Sequence, residues 1–589
     1  MSKPTSSSRR LQSAQRVLQQ FRAADSAFVL VPPPGHPIAI YTQQSRALNL
    51  IWALHSNGVL QGKRVIVIGG GVAGATAAAG AATCGASVVL VESEFELFTK
   101  QLGCHHRFLH PRIHEWPSDK SLMASANLPL LNWTLDTAHS VAERMLEGFN
   151  AVLRQTSAID VRLDTTAEAF DATTKTLTIR SASSADSEAL QGDVFIFAAG
   201  FGFDGRAPGV MARPYWRADS LDQPPVRPAT KRAVLIVGDG DGAAIDVLRA
   251  RLRSFDHGPF VDRFLSRIHD TALRDAVKNA EAAARRSPRG QYAKTLDKKY
   301  IELADEKPLR HVWEGMREQL RDDVRVLWLA QPPRPLSDKS FSFNRLLSWL
   351  LLYHGEVEFR SGTLASAEFR AAASGNGGAY HVQYVPAGSS KPEPFPDAVD
   401  ELLVRYRDKD VANPLEVFSG LSRSTSDPDA SPRLLPEAFD LFADWSYQQT
   451  PPSLEARVVT QLGPAKISKK DWYGYRVELK VVGVTAARRA HYVLHPEQGE
   501  IIRRAAAVES FSTSIFTWDD YWVEAHLSDG TYVAGRWLSN LISDPKIRRC
   551  LREQAELLGG DYDRSSRPKA NSRSLDRFIR RELTRAAHE

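Results

Sequence analysis

Apolar residues follow two rhythms along this chain, and the change between them divides it. Through residue 415, short unbroken apolar runs alternate with longer stretches whose apolar positions recur at helical spacing. The runs include "RVIVI" (64–68), "SVVLV" (87–91), "DVFIFAAG" (193–200), "VLIV" (234–237) and "VRVLWLA" (324–330). Such runs predict strands buried on both faces by helices. The helical stretches include "TQQSRALNLIWALHSNG" (42–58), "LDTAHSVAERMLEGFNAVLRQ" (135–155) and a charge-rich region from 250 to 322. Beyond residue 440 the period becomes two, in "YGYRVELKVVGV", "HYVLH", "YWVEAHL" and "TYVAGRWL". That alternation predicts antiparallel strands with one buried face.

The joints are polar. "DQPPVRPATK" (222–231) separates the first two α/β stretches, and "SGLSRSTSDPDASPRLLPE" (419–437) precedes the β-rich part. The expected class is α/β, with two Rossmann-like dinucleotide-binding units, a helical insertion and a C-terminal all-β, immunoglobulin-like sandwich. The expected divisions are an N-terminal helical segment (1–60), a first Rossmann-like domain (61–225), a second (226–415) carrying the insertion 250–322, a linker (416–440), the β-sandwich (441–545) and a basic helical tail (546–589).

Composition narrows the setting. Of 589 residues, 43% are hydrophobic and 24% charged, an ordinary soluble balance. No apolar stretch approaches the ~18–20 residues of a membrane span, and "MSKPTSSSRR" at the start has no apolar signal core. Cys84, Cys104 and Cys550 are the three cysteines, with no C-x-x-C pair. This pattern predicts a cytoplasmic protein without a zinc knuckle or dithiol centre, and no metal site is expected. Of the net charge of +6, the segment 546–589 supplies 12 Lys+Arg against 7 Asp+Glu, which is +5. A solvated helical tail accounts for that charge better than a nucleic-acid surface does.

The strongest chemical signal follows the run at 64–68. Gly69, Gly70, Gly71, Val72, Ala73 and Gly74 satisfy G-x-G-x-x-G, with a strand before and an Ala/Gly-rich helical stretch after. The first glycine permits a tight turn, the second lets backbone approach a pyrophosphate, and the third lets helix pack on strand. The helix N-terminus supplies N–H groups and the positive end of a dipole. The next run ends at Glu92, where a carboxylate can accept hydrogen bonds from a ribose hydroxyl. Strand, turn, helix, strand and acid together predict an adenine-dinucleotide site.

With these residues in place, the region 60–330 resembles flavoproteins built from two dinucleotide-binding domains. In those proteins a late strand ends in an A-T-G-like turn near the flavin; here "FIFAAGFGFDGR" (195–206) stands there, with Ala199 in place of the threonine and Gly200 next. The resemblance implies FAD at the first turn, NAD(P)H as reductant and a small-molecule substrate. It also places "GCHHRFLHPRIHEWPSD" (103–119) near the flavin, making His105, His106 and Arg107 candidates for a flavin-pocket or substrate site. The paired cysteines of the disulphide reductases in that class are missing, as is a late Gly-Asp turn before the linker.

A second turn, "VLIVGDGDGAAID" (234–246), carries Gly238, Gly240 and Gly242, with Ala243 at the third fingerprint position. Asp239 and Asp241 sit among the glycines, and carboxylates repel a pyrophosphate. Three readings stay open: a nicotinamide dinucleotide, a sulfonium ligand such as S-adenosylmethionine that carboxylates would attract, or no ligand.

The C-terminal words resemble prokaryotic YEATS domains over about 455–540. They are Tyr492-Val493-Leu494-His495-Pro496, then Phe511, the Trp518-containing turn, and "LSDG" at 527–530. The resemblance implies a recognition module for a protein or modified ligand, with His495 and Trp518 at its ligand site. Thr517 and Asp519 replace the glycines that flank that tryptophan in the family pattern, so acyl-lysine reading is not carried over. The resulting expectation is an FAD-dependent oxidoreductase regulated through a docking domain, in the manner of a stress or defence effector. The alternative is a nucleotide-sensing scaffold without turnover.

Overall fold

The computed structural model describes residues 6–557, apart from 31–37, 201–207, 211–212, 218, 222–230, 254, 289, 332–335, 372–377, 406–417, 419–420, 422–432, 447–452, 468–469, 483–488, 496–500, 507–511, 518–521, 528–531 and 543. It divides into two units. One comprises 1–126, 134–142 and 156–438; the other comprises 127–133, 143–155 and 439–589.

Two six-stranded sheets form the larger unit. The first has the order Arg22–Ala24, Ala27–Val29, Val194–Phe197, Arg64–Ile68, Ser87–Val91, Ile159–Arg162. It is parallel from Ala27–Val29 onward. The residues of the 64–68 run are buried from Val65 to Ile68, as a strand covered on both faces requires. One face packs on a three-stranded meander (Thr165–Asp171, Thr176–Ser181, Ser187–Gln191), where Phe170 lies against Phe195 and Phe197. On the other, helix Val72–Thr83 lies close to the sheet because its buried positions are almost all Ala and Gly. Helix Ile40–Ser56 packs beside it.

The N-terminal segment is not helical throughout. Arg22–Ala24 and Ala27–Val29 interrupt it, and Ala27–Val29 joins the sheet beside Val194–Phe197. Three residues between two helical patterns are too short to show a period, so burial alone decides their state.

The second sheet has the order Glu393–Pro394, Gly378–Pro386, Glu358–Ala371, Val324–Ala330, Arg232–Val237, Glu401–Val404. Its parallel core repeats the first: Glu401–Val404, Arg232–Val237 and Val324–Ala330 lie side by side as Val194–Phe197, Arg64–Ile68 and Ser87–Val91 do. Between Arg232–Val237 and its partner Val324–Ala330, the chain makes helix Asp241–Arg251 and then four more helices: Pro259–Ile268, Thr271–Arg285, Tyr292–Ala304 and Lys307–Arg317. Their apolar faces share one core with the sheet, through Phe260, Phe264, Val277, Tyr300, Val312 and Met316. "LLSWLLLYH" belongs to helix Ser342–Tyr353, whose Trp349 and Leu351 are fully buried.

The smaller unit contains two antiparallel sheets. Ser453–Ile467, Lys470–Val482 and Ser512–Thr517 form one; Ile501–Ala506, Arg489–His495, Trp522–Leu527 and Tyr532–Trp537 form the other. Alternate residues Tyr475, Val477, Leu479 and Val481 share a core with Val523 and Ala525, which is the period-two pattern realised. Leu538, Ile542 and Leu551 complete it, and Gln554 of helix Pro545–Leu557 exchanges two hydrogen bonds with the backbone of Tyr473. No helix among the described residues is long and apolar enough to cross a membrane.

Candidate functional site

The carboxyl ends of the parallel strands carry the glycine turns, where open α/β sheets bind ligands. Gly69 leaves the strand Arg64–Ile68 with φ +104°, and a Cβ there would sit 2.5 Å from the carbonyl oxygen of Ala198. Only glycine meets both conditions. A Cβ at Gly74 would collide with the carbonyl of Gly69, so the third glycine sets how closely helix Val72–Thr83 approaches. Gly71 differs from both. It is the N-cap of that helix, it has no side chain to cap with, and nothing lies within 4 Å of where its Cβ would be. The first N–H groups of the helix, which no carbonyl of the helix itself can reach, lie beside this open space. Open space beside unbonded helix N–H groups is chemistry that suits an anion.

Glu92 follows the strand Ser87–Val91. One carboxylate oxygen accepts the N–H of Gly70, and the other accepts the N–H of Glu94 at 2.9 Å and the hydroxyl of Ser93 at 3.1 Å. The carboxylate is thus fixed beside the turn. Ala199 and Gly200 leave the opposite neighbour, Val194–Phe197, and Gly200 has φ +80°. The rest of "FIFAAGFGFDGR", 201–206, lies outside the described residues.

The second turn is the same construction. Gly238 has φ +139°, and its Cβ would sit 2.5 Å from the carbonyl oxygen of Arg405, as that of Gly69 would from Ala198. Gly238 N donates to Leu329 O at 2.9 Å, matching Gly69 N to Val91 O at 2.8 Å. Gly240 caps helix Asp241–Arg251 without a side chain and has open space above it. Gly242 does not: a Cβ there would lie 3.2 Å from the ring of Tyr215.

Both aspartates are bonded by the segment 337–344. Lys339 Nζ is 2.7 Å from Asp239 Oδ2, and the Ser337 hydroxyl donates to Asp239 O at 2.8 Å. Asp241 Oδ1 accepts the N–H of Phe341 and the amide of Asn344, each at 3.0 Å. Burial pushes the Asp241 carboxyl up to about 6, against these two hydrogen bonds and the Arg345 charge. The position of Glu92 is taken by Ala330, so the second turn has no ribose acid in the first turn's place. Lys339 and Asn344 were not legible as site residues, because they act on the turn from about a hundred residues away.

Residues 63–243 match the family model described as pyridine nucleotide-disulphide oxidoreductase, a span that covers both glycine turns. The chain is an FAD-dependent oxidoreductase. The family uses FAD and NAD(P)H. No curated protein matches the chain. Among solved structures, the Lactococcus lactis thioredoxin reductase is similar at 11% identity, covering 59% of this chain and 77% of its own, with a TM-score of 0.32. The thioredoxin reductase of T. acidophilum gives 10%, 66%, 97% and 0.32 for the same quantities. The NAD-dependent persulfide reductase of A. fulgidus gives 12%, 79%, 71% and 0.29.

The histidine-rich loop of this oxidoreductase has mixed placements. Arg107 is buried, 2.9 Å from Asp246, and stacks on Tyr215 with its guanidinium 3.5 Å from the ring centroid. Burial would raise Asp246, but Arg107, Arg405 and Arg249 outweigh it and hold its carboxyl well below the ordinary range. The charge of Arg107 is therefore already matched, and it does not stand open to an anionic substrate. His106 Nε2 lies 3.6 Å from Asp219, with Cys104 Sγ 3.7 Å from its Nδ1. Burial raises the Cys104 thiol above its ordinary value. His105 is exposed, its ring 4.2 Å from that of His139. Burial pushes His110 and His114 down to about 3, which makes them neutral packing groups.

All three cysteines are free. Among the described residues, no group of three or more His, Cys, Asp and Glu could hold a metal ion. In the smaller unit, His495 ends the strand Arg489–His495, its backbone opposite Trp522. Trp518 and Phe511 lie outside the described residues.

Proposed function

We propose that this oxidoreductase holds FAD at the first glycine turn, with the pyrophosphate over Gly71 and the adenosine ribose on Glu92. One observation carries the reading: Gly71 opens onto free space between two glycines that have none. FAD bound there supplies the two-electron chemistry, passing electrons from a nicotinamide to a small-molecule substrate. The chain's part is to orient and hold. Gly69 and Gly74 fix the helix against the strand, the helix N-terminus faces the phosphates, and Glu92 receives the ribose hydroxyls. The second turn takes NAD(P)H over Gly240, with the carboxylates of Asp239 and Asp241 engaged by Lys339, Phe341 and Asn344. An open Gly240 and carboxylates already engaged by other donors favour a phosphate there over a sulfonium, which would want them for itself.

The C-terminal β unit is read as an immunoglobulin-like, YEATS-like recognition module that docks a protein or modified ligand and couples it to the redox unit, as in a stress or defence effector. The words at 492–496 and 527–530 support that reading. The test is spectroscopic. Purified protein should be yellow and should bleach on NADH or NADPH under anaerobic conditions. Gly71→Asp should lose the flavin, since its side chain fills the pyrophosphate space. A colourless protein that takes up no added FAD overturns the reading. A yellow protein inert to every reductant and acceptor leaves a nucleotide sensor instead.

A further inference from the structure

The segment that bonds both aspartates of the second turn is itself held by a buried ion pair. Arg345 Nη1 donates to Ser337 O and to Ser340 O, each at 2.8 Å. These carbonyls stand at the two ends of the bend that carries Lys339, so one nitrogen closes it like a clasp. Arg345 Nη2 donates to Glu281 Oε1 at 2.7 Å and to the Ser342 hydroxyl at 3.4 Å. Glu281 belongs to helix Thr271–Arg285 of the insertion, and both charged side chains are buried. The other oxygen of Glu281 meets Arg285 at 3.2 Å. A second tie runs beside the first: Asp297, in helix Tyr292–Ala304, accepts the N–H of the fully buried Trp349 at 2.9 Å. Arg345 and Trp349 are four residues apart in helix Ser342–Tyr353, so the insertion grips one face of that helix at two points.

A buried ion pair often stabilises a fold no more than apolar residues of equal size would. What distinguishes this one is where its remaining donors go. The clasped bend carries Lys339, whose Nζ is 2.7 Å from Asp239 Oδ2, and Ser337, whose hydroxyl donates to Asp239 O at 2.8 Å. Lys339 is half exposed, and an exposed lysine on an unfixed backbone pairs weakly. We propose that Glu281 and Arg345 are positioning residues for nucleotide binding at the second turn: they hold Lys339 on Asp239 and thereby cancel a charge that would repel the phosphates. The insertion in this way sets the dinucleotide affinity of a turn that lies outside it.

This proposal rests on the reading of the second turn as a dinucleotide site, and the experiment separates the two. The probe is ADP-ribose, which has the pyrophosphate but no nicotinamide. Its Kd is measured by calorimetry on the FAD-loaded full chain at low and high salt. Arg345→Lys keeps a charge beside Glu281 but cannot reach both carbonyls and the carboxylate; Glu281→Gln removes the anchor. Each should weaken ADP-ribose about tenfold at low salt, the effect of one uncompensated charge near a phosphate. The ratio to wild type should shrink at high salt, where that charge is screened. Adding Asp239→Asn should recover most of the affinity in either variant. Lys339→Met, which leaves the clasp intact, should reproduce the loss. Flavin absorbance should stay at the wild-type level, because the first turn has no part in the clasp. Unchanged affinity in Lys339→Met, or in both clasp variants, overturns the proposal. So does a loss that neither salt nor Asp239→Asn reduces, since the pair would then only support the fold. Wild type that binds no ADP-ribose removes the reading of the second turn on which the proposal rests.

Discussion

Asp241→Asn offers a clean test of how the second turn tolerates its carboxylates. In the folded protein Asp241 holds its proton up to about pH 6; its ordinary value is 3.8. The difference, 6 − 3.8, is 2.2 units, or about 3 kcal/mol at 1.36 kcal/mol per unit. Part of Asp241 still reaches the surface, so this figure is a ceiling. The sign follows from proton counting. Between pH 4 and 6 the folded chain keeps a proton that the unfolded chain has lost, so this group lowers stability as pH rises and adds nothing further above pH 6. Asparagine presents the same acceptor oxygen to Phe341 N and Asn344 without the charge. The variant should match wild type near pH 4 and exceed it by up to about 3 kcal/mol at pH 8. For a unit of this size that is roughly 3–6 °C in Tm. The assay is a pair of thermal melts across pH 4–8, read as the difference between the two proteins so that other titrating groups cancel. Parallel curves at every pH would refute the reasoning, as would a variant destabilised equally at both ends.

Three other outcomes are expected. Arg107→Ala should destabilise the larger unit by about 1.5–3 kcal/mol, because it removes one charged partner of the fully buried Asp246 while Arg405 and Arg249 remain, and the loss should appear in urea unfolding. Gly74→Ala should lower Tm and flavin retention together, since its methyl group would meet the carbonyl of Gly69; Ala243 shows that the second turn accepts this residue where the first cannot. Glu92→Gln should keep the bond to Gly70 only by turning its amide oxygen inward, and should weaken binding of both FAD and AMP by about tenfold in calorimetry.

The first turn was legible residue by residue, because every one of its constraints is local: a positive φ, a missing side chain, an acid one strand away. The strands at 193–197 and 324–330 were legible as unbroken apolar runs for the same reason. The strand Ala27–Val29 was not, since three residues carry no period and its neighbour in the sheet lies far along the chain. The fate of Asp239 and Asp241 was also out of reach. Sequence shows two carboxylates in a phosphate turn; their partners Lys339, Phe341 and Asn344 follow a helical insertion that hides the spacing. Arg107 misled in the opposite direction. A cation beside a flavin unit invites an anion, yet its anion is Asp246, in the helix of the second turn.

That ion pair has a mechanical consequence. Arg107 belongs to the loop that leaves the first nucleotide unit, and Asp246 to the helix that opens the second, where Arg249 and Arg405 share the same carboxylate. Swivelling one unit against the other would drag charged groups through a dry interior, at a cost of several kcal/mol for each ion left uncompensated. The pair acts as a weld, so the loop after the first turn and the helix of the second move together or not at all.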